Sequence, residues 1–258
     1  MPNPPPEASL LAPSDGRPIY VRLLEQLRGA IDSGVYRPGD LIPPELEIAR
    51  QNGISRHTVR EAVVQLAREG LLRRERGRGT FVVGRPHVQS LGSFYSFAQE
   101  MAARGLPYHT EVLHRRLVRA DAATAERLDL AEGAEIVEME LLRIAEGVPL
   151  VLDFSVTARE RVPVLVDADV THRSLYDHMA ASGVAIENAR ELLRPVTLDR
   201  RQAELLGVPS GSPAFHVDRE VVGRLPDGTT RPVEWRRSLV RGDRFLYRVD
   251  LPIRTNPG

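Results

Sequence analysis

Between residues 17 and 84, the spacing of apolar and polar positions predicts three helices followed by a β-hairpin. The third helix is the best marked, because Ser55 suits the N-cap position and the apolar residues after it share one helical face. Gly70 can end this helix, and the Arg-Gly-Arg-Gly run at 76–79 favours a tight turn between two strands. The first helix is predicted to bury a stripe made of Tyr20, Leu23, Leu24, Leu27 and Ile31.

The first turn of the Ser55 helix presents a polar, basic face. Arg56, His57 and Arg60 lie opposite the apolar face, and the tip of the predicted hairpin is also basic. A helix and a hairpin of this kind, placed side by side, are typical of a winged helix-turn-helix that binds DNA. The alternative interpretation is an ordinary solvated face of the helix.

From residue 91 onward, strands alternate with short helices, which predicts an α+β fold. The predicted helices are 93–104, 122–130, one from 175, and 199–206, and the predicted strands are 110–119, 136–144, 150–156, 187–195, 214–222, 232–239 and 245–251. A helix, a glycine turn and a strand follow one another near Gly133 and again near Gly211, which suggests an internal duplication. The predicted organisation is a Pro-rich disordered segment at 1–16, a winged helix-turn-helix at 17–84, a linker at 85–90 and a second domain at 91–258.

Composition narrows the class of protein. The 258 residues include no cysteine and no lysine, so disulfides and thiolate metal sites are excluded. No apolar run is long enough to span a membrane, and the N-terminus lacks the basic and apolar regions of a signal peptide. We therefore expect a cytoplasmic protein without a cofactor.

Charge is distributed unevenly along the chain, although its formal net value is zero. Residues 17–85 contain 13 arginines against 8 acidic residues, a net charge of +5, so the remainder carries −5. A basic N-terminal part joined to an acidic remainder indicates that only the first part contacts a polyanion. Because arginine replaces lysine throughout, its position and not its frequency has to support this interpretation.

Several motifs of the first 84 residues occur together and in order. They are Pro18-x-Tyr20, Gly34, Pro38-Gly39-x-x-Ile42-Pro43-x-Glu45, Ile54-Ser55-Arg56-x-Thr58-Val59-Arg60-x-Ala62 and Gly77-x-Gly79-Thr80-Phe81-Val82. This combination resembles the DNA-binding domain of the GntR superfamily of bacterial transcription regulators. Pro44 stands where a serine is usual and Leu46 where some relatives have an arginine, which removes a possible phosphate donor and a possible DNA contact.

The resemblance implies that the first turn of the Ser55 helix enters the major groove. Arg56 and Arg60 would read base edges, because a guanidinium can bond both acceptors of a guanine. Ser55 and Thr58 would hold phosphates, and His57 would reach a base or a phosphate. The predicted DNA-binding residues are Glu45, Ser55, Arg56, His57, Thr58, Arg60, Arg76, Gly77, Arg78 and Gly79.

The second domain resembles the UTRA effector domain of the HutC branch of this superfamily, which shares an antiparallel α+β fold with chorismate lyase. The markers are Ser96-Phe97, Met101, Gly105, Arg143, Gly147-x-Pro149, Ser174-Leu175-Tyr176, Pro232-Val233-Glu234-Trp235 and Arg241-Gly242-Asp243-Arg244. The resemblance implies a pocket for a small acidic or polar effector. Its predicted residues are Ser96, Phe97, Arg143, Asp153, Ser174, Tyr176 and Glu234.

Within this pocket Arg143 is expected to bind a phosphate or carboxylate. The alternatives are that Phe97 and Tyr176 are core residues and that Arg143 pairs with Glu138 or Glu140 at the strand surface. Relatives that bind sugar phosphates often carry an arginine and a tyrosine where this chain has Leu141 and Val240. These differences favour a less charged or more apolar ligand, such as a small organic acid.

The sequence therefore predicts a transcription repressor that binds a twofold operator in double-stranded DNA as a homodimer and leaves it when an effector binds. Two other functions are weaker. A chorismate-lyase-like enzyme would need a nucleophile and a base, and no such pair is recognisable. A metal sensor would need ligands at helical spacing, which His109, His114, His172 and His178 do not offer.

Overall fold

The computed structural model describes residues 16–75, 77–84, 86–92, 94 and 96–251. The chain divides near residue 88 into two compact units, and each is described here by itself. Apart from Gly16, the segment predicted to be disordered lies outside the described residues.

The first unit contains three helices and a small antiparallel sheet. They are α1 (Ile19–Asp32), β1 (Leu41–Ile42), α2 (Glu45–Asn52), α3 (Arg56–Arg68), β2 (Leu72–Glu75) and β3 (Gly79–Val82). The predicted helices and hairpin are present, and the sheet has the order β1-β3-β2. Strand β1 was not predicted, because two residues are too few to show an alternation.

Apolar side chains from all three helices form one core in this unit. Leu23 and Leu27 of α1 are buried against Ile48 of α2 and Leu66 of α3. The prediction that Tyr20 joins this core is wrong, because its side chain is 44% exposed. The first turn of α1 borders an open groove whose other wall on α3 is mainly polar, so the ring of Tyr20 stays partly exposed there.

The second unit is built on a six-stranded antiparallel sheet of order β5-β6-β7-β10-β9-β8. Its strands are β5 (Tyr108–Arg119), β6 (Glu135–Ala145), β7 (Val148–Ala158), β8 (Ala185–Thr197), β9 (Pro213–Arg224) and β10 (Thr230–Arg241). A separate pair joins β4 (His87–Ser90) to β11 (Phe245–Arg248). The predicted linker at 85–90 therefore contains a strand, and the predicted last strand ends at 248 instead of 251.

Four α-helices and one short 3₁₀ turn cover this sheet. They are α4 (Phe97–Ala103), α5 (Ala122–Leu128), the 3₁₀ turn Pro163–Val166, α6 (Leu175–Ala181) and α7 (Arg200–Leu205). Helix α4 begins at Phe97 and not at 93. Apolar residues of α5 and α7 pack on one face of the sheet, and those of α4 and α6 pack on the other.

The strand order supports the predicted internal duplication. Strands β5, β6 and β7 with helix α5 form one half, and β8, β9 and β10 with helix α7 form the other, in mirrored order across the sheet. Both helices begin in the same way, because the side chains of Asp121 and Asp199 accept hydrogen bonds from backbone amides of the first turn. The two halves meet where β7 pairs with β10.

Candidate DNA interface and effector site

The first turn of α3 is fixed by its cap. Ser55 is the N-cap residue, and its hydroxyl oxygen accepts a hydrogen bond of 3.1 Å from the backbone amide of Thr58. The two hydroxyl groups also lie 2.9 Å apart. Because Val59 and Leu66 anchor the opposite face of the helix in the core, the turn holds its side chains at a defined position on the surface.

Three basic side chains project from this turn. The side chains of Arg56 and His57 are 70% and 80% exposed, and Arg60 is also exposed. Nε of Arg56 lies 3.5 Å from Oε2 of Glu45, whose other carboxylate oxygen accepts from Arg74. The predicted residue Glu45 therefore sits between two arginines of its own chain.

The turn between β2 and β3 forms a narrow, basic tip. Gly77 and Gly79 have φ values of +76° and +120°, which favour glycine. A Cβ atom on Gly79 would lie 2.5 Å from Cδ1 of Leu41, so a side chain there would displace the exposed end of Leu41. Arg78 is 70% exposed and pairs with Glu75 at 2.6 Å. Arg76, which was predicted to contact DNA, lies outside the described residues.

On the second unit, the sheet face under α4 and α6 carries a group of buried polar residues, which we call the charged face. Its members are Thr110, Arg143, Asp153, Ser155, Tyr176, Glu191, Arg219, Glu234, Arg236 and Ser238. Glu191 is 20% exposed at its side chain, and the others are buried. The predicted residues Arg143, Asp153, Tyr176 and Glu234 thus lie on one surface, although they come from different strands and a helix.

Arg143 and Asp153 form a buried ion pair at the centre of the charged face. Nε of Arg143 donates to Oδ2 of Asp153 at 2.9 Å, and another nitrogen of Arg143 donates to Thr110 at 3.2 Å. The hydroxyl of Ser238 donates to the second oxygen of Asp153 at 2.6 Å. Burial by itself would raise the pKa of Asp153, but Arg236 and Arg143 lower it below its ordinary value, so the carboxylate is charged.

Tyr176 and Glu234 form a second buried group. The hydroxyls of Tyr176 and Ser155 each donate to Glu234 at 2.6 Å, one to each carboxylate oxygen. Arg219 donates to the oxygen of Tyr176 at 3.1 Å. Burial raises the pKa of Tyr176 to about 12, and its hydrogen bond to Glu234 acts in the same direction, so Tyr176 stays a hydrogen-bond donor.

Two predicted polar residues contribute to helix starts. Ser174 caps α6, where its hydroxyl accepts from the amide of Asp177 at 3.0 Å. Ser96 precedes α4 and is buried, but its side chain makes no capping bond. Phe97 is buried, with its ring 6.3 Å from that of Tyr108.

The predicted alternative for Arg143 is wrong, because Glu138 pairs with Arg116 and Glu140 with Arg201. Sequence reasoning also missed Arg219, Arg236 and Glu191. The signal for the two arginines was available, because each lies an even number of positions from apolar residues of the same strand that face the core. These apolar residues include Val217, Val221 and Val240.

Within the described part of the chain, no group of three His, Cys, Asp or Glu residues could hold a metal ion. No helix among these residues is long and apolar enough to cross a membrane.

Family models match both units. The model for bacterial regulatory proteins of the gntR family matches residues 19–82, and the UTRA domain model matches residues 103–246. The chain belongs to the GntR family. Its UTRA domain and its relatives agree with the HutC subfamily within that family.

Relatives with established names support the same assignment. The transcriptional repressor NagR of Bacillus subtilis is 32% identical over 89% of this chain and 93% of its own length. The repressor PhnF of Mycolicibacterium smegmatis is 31% identical over 82% of this chain and 84% of its own. The histidine utilization repressor of Klebsiella aerogenes is 40% identical, but the match spans only about half of each protein.

A solved structure has the same fold. The crystal structure of PhnF from Mycobacterium smegmatis matches 89% of this chain and 98% of its own, with a TM-score of 0.62 and 30% identity. The GntR-family chain described here is therefore a ligand-responsive, DNA-binding transcription repressor and not an enzyme.

Proposed function

We propose that this repressor acts in the cytoplasm as a homodimer that places two copies of α3 on a twofold operator, and that a small polar or acidic metabolite bound in the UTRA domain releases it. The observation that carries the proposal is the exposed basic turn of α3. Arg56 and Arg60 project from a capped and core-anchored helix, as major-groove reading requires.

The proposed interface has three parts. Arg56 and Arg60 contact base edges, and His57 contacts a base or a phosphate. The Ser55–Thr58 turn contacts phosphates and so fixes the position of α3 relative to the DNA backbone. Arg76 and Arg78 place charge beside the sugar-phosphate backbone, and Gly77 and Gly79 keep the tip narrow enough for a close approach.

Release follows from a shift between arrangements of the dimer. If the effector binds one arrangement better than another, the population moves toward it. When that arrangement no longer matches the spacing of two half-sites, affinity for the operator falls. The effector site is proposed to involve the charged face, together with Ser96, Phe97 and Ser174, because these residues converge from α4, α6 and the sheet.

Selection of bound DNA from a random pool tests the operator. The expected product is an inverted repeat. Sedimentation of the free protein should give a molecular mass twice the 28.7 kDa of one chain. A single half-site bound by one chain would contradict the dimer. Titration of the bound complex with metabolites then tests release: a compound that binds the protein without lowering operator affinity is not the inducer.

A further inference from the structure

Arg236 is a buried cation that makes no side-chain hydrogen bond within the described part of the chain. The residue is 7% exposed, and its Nε is fully buried without a partner. The nearest carboxylate oxygen is Oδ1 of Asp153, 4.0 Å from Nε, which is too far for a hydrogen bond. Buried charges are normally hydrogen-bonded as well as paired, so a buried guanidinium that has a carboxylate nearby but no hydrogen bond to it is unusual.

The neighbours of Arg236 are engaged elsewhere. Asp153 accepts from Arg143 and Ser238, and Glu234 accepts from two hydroxyls. Glu191 holds Arg219 in an ion pair. The guanidinium of Arg236 lies 5.8 Å from the ring centre of Tyr176, a contact that leaves its hydrogen-bond donors unused.

A small cavity lies against Arg236. Its volume is about 20 Å³, enough for about one water molecule, and its wall combines polar and aromatic side chains. The polar wall consists of Gln89, Asp153, Glu191, Arg219, Arg236 and Ser238. A larger groove of about 620 Å³ lies next to it along β8, and Glu191 and Arg219 line both spaces. The Arg219–Glu191 pair therefore separates the open groove from the guanidinium of Arg236, whose Nε has no hydrogen-bond partner among the described residues.

We propose that Arg236 anchors the carboxylate of a small organic acid, with Arg219 as the second cation, and that this carboxylate group identifies the effector of the proposed repressor. A carboxylate offers two oxygens in one plane, which match the guanidinium fork. Asp153 and Glu191 line the same cavity, so a doubly charged phosphate meets more repulsion there than a singly charged carboxylate. Arg143 then acts as a positioning residue, because its hydrogen bond fixes the carboxylate of Asp153 beside Arg236.

The internal duplication accounts for the place of Arg219 in this site. Asp121 and Asp199 start equivalent helices, and Leu141 and Arg219 follow them at the same distance along the chain. Arg219 therefore occupies in the second half the position that Leu141 occupies in the first. The first half has no cation at this position, because Leu141 occupies it. The second half has the cation of Arg219 there, on the same face of the sheet.

Thermal unfolding and calorimetric titration of the full-length protein without DNA test this site. The probes are acetate, lactate and succinate, their amides, inorganic phosphate and glucose 6-phosphate, each to high millimolar concentration. At least one carboxylate should raise the unfolding temperature while its amide does not. Arg236→Met should weaken that binding by about tenfold to a hundredfold, since a hydrogen-bonded charge is lost.

The unliganded variants separate a binding role from a structural one. Arg236→Met leaves Asp153 with its hydrogen-bonded partner Arg143, so the unfolding temperature should fall less than in Arg143→Met. Arg237→Met is the matched control, because Arg237 lies on the same strand but on the opposite face, near Trp235. The control should keep the carboxylate response.

The inference is overturned by no response to any carboxylate, by a response that Arg236→Met retains, or by a loss of stability in Arg236→Met as large as that in Arg143→Met. A response to phosphate or glucose 6-phosphate alone also overturns it. Because none of these measurements uses DNA, they are independent of the proposed function. That proposal fails instead if the protein does not bind an operator, or if a bound carboxylate does not release it.

Discussion

The arginines of α3 and those of the charged face have the same chemistry in opposite environments. Arg56 is 70% exposed and its nearest carboxylate is 3.5 Å away, whereas Arg143 is 3% exposed and bonded to Asp153 at 2.9 Å. An exposed ion pair contributes little to stability, so Arg56 can exchange its partner for DNA at low cost. When a buried ion pair loses one member, the remaining charge is left with neither a partner nor solvent, which destabilises the fold.

The difference teaches how to assign a role to an arginine in this protein. An arginine on the surface is available to a polyanion such as DNA. An arginine that is buried and hydrogen-bonded to a carboxylate is part of the fold. Arg236 fits neither description, because it is buried but not satisfied among the described residues. That mismatch, and not its residue type, marks it as a binding group.

The largest effect is expected from removing both reading arginines. Arg56→Ala with Arg60→Ala should lower operator affinity by about thirtyfold or more, because each base contact contributes about 1 to 3 kcal/mol. Fluorescence anisotropy at fixed salt measures the affinity. Arg68→Ala, which removes a charge from the last turn of the same helix, is the control. Equal losses in both proteins would show that charge alone, and not position, governs binding.

Breaking the buried pair should have a comparable effect, but on stability. Arg143→Met leaves Asp153 without its hydrogen-bonded cation and should lower the free energy of unfolding by about 3 to 5 kcal/mol. Urea denaturation measures the change, with Arg237→Met as the exposed-face control. If Arg143→Met is as stable as the parent protein, Asp153 has another partner and the assignment of Arg143 to the fold is wrong.

Acid should weaken the second unit through the same carboxylate. The pKa of Asp153 is lowered in the folded protein, so its charge contributes stability above its ordinary pKa of 3.8. This contribution is lost as the pH falls through the lower, folded value. Urea denaturation between neutral pH and pH 3 should show a decline below about pH 4. In Asp153→Asn that part of the decline should disappear, and an unchanged profile would exclude Asp153 as its source.

Removing the cap of α3 should have a smaller effect. Ser55→Ala removes the acceptor for the Thr58 amide and should cost about 1 kcal/mol of stability. Thermal unfolding measures this cost, and Ser33→Ala at the end of α1 provides a serine substitution outside the reading turn. DNA affinity should fall less than in the double arginine variant. A loss as large as in that variant would instead show that Ser55 contacts the operator directly.

The smallest effect is expected at Glu45. Glu45→Gln removes a negative charge beside Arg56 and Arg74, so DNA affinity should rise by no more than severalfold. Binding measured over a range of salt concentrations provides the comparison with the parent protein. A tenfold decrease would contradict this expectation and would indicate that Glu45 itself accepts a hydrogen bond from a base.

The two units also differ in how far the sequence predicts them. In the first unit, the caps, glycines and helical periodicity are local signals, so the positions of α1, α2 and α3 were predictable. The exposure of the Tyr20 side chain was not predictable, because it depends on where the apolar face of a neighbouring helix ends. Strand β1 exists only through its pairing with β3, which no local signal encodes.

In the second unit, alternation located most strands but not their partners. The pairing of β7 with β10, which brings Asp153 next to Ser238, joins segments far apart in sequence. Arg219 and Arg236 were missed because a charged residue within a strand usually belongs to the solvent side. Their register with Val217 and Val240 indicated the opposite face, and only the folded sheet shows which neighbours they meet.

The junction of β7 and β10 has a mechanical consequence. Backbone bonds along this pair, together with Ser238 on one side and Asp153 on the other, fasten the duplicated halves to each other. A ligand carboxylate held by Arg236 on β10 would add an ion pair beside this joint. Forced unfolding of the liganded domain should then occur in one rupture instead of two.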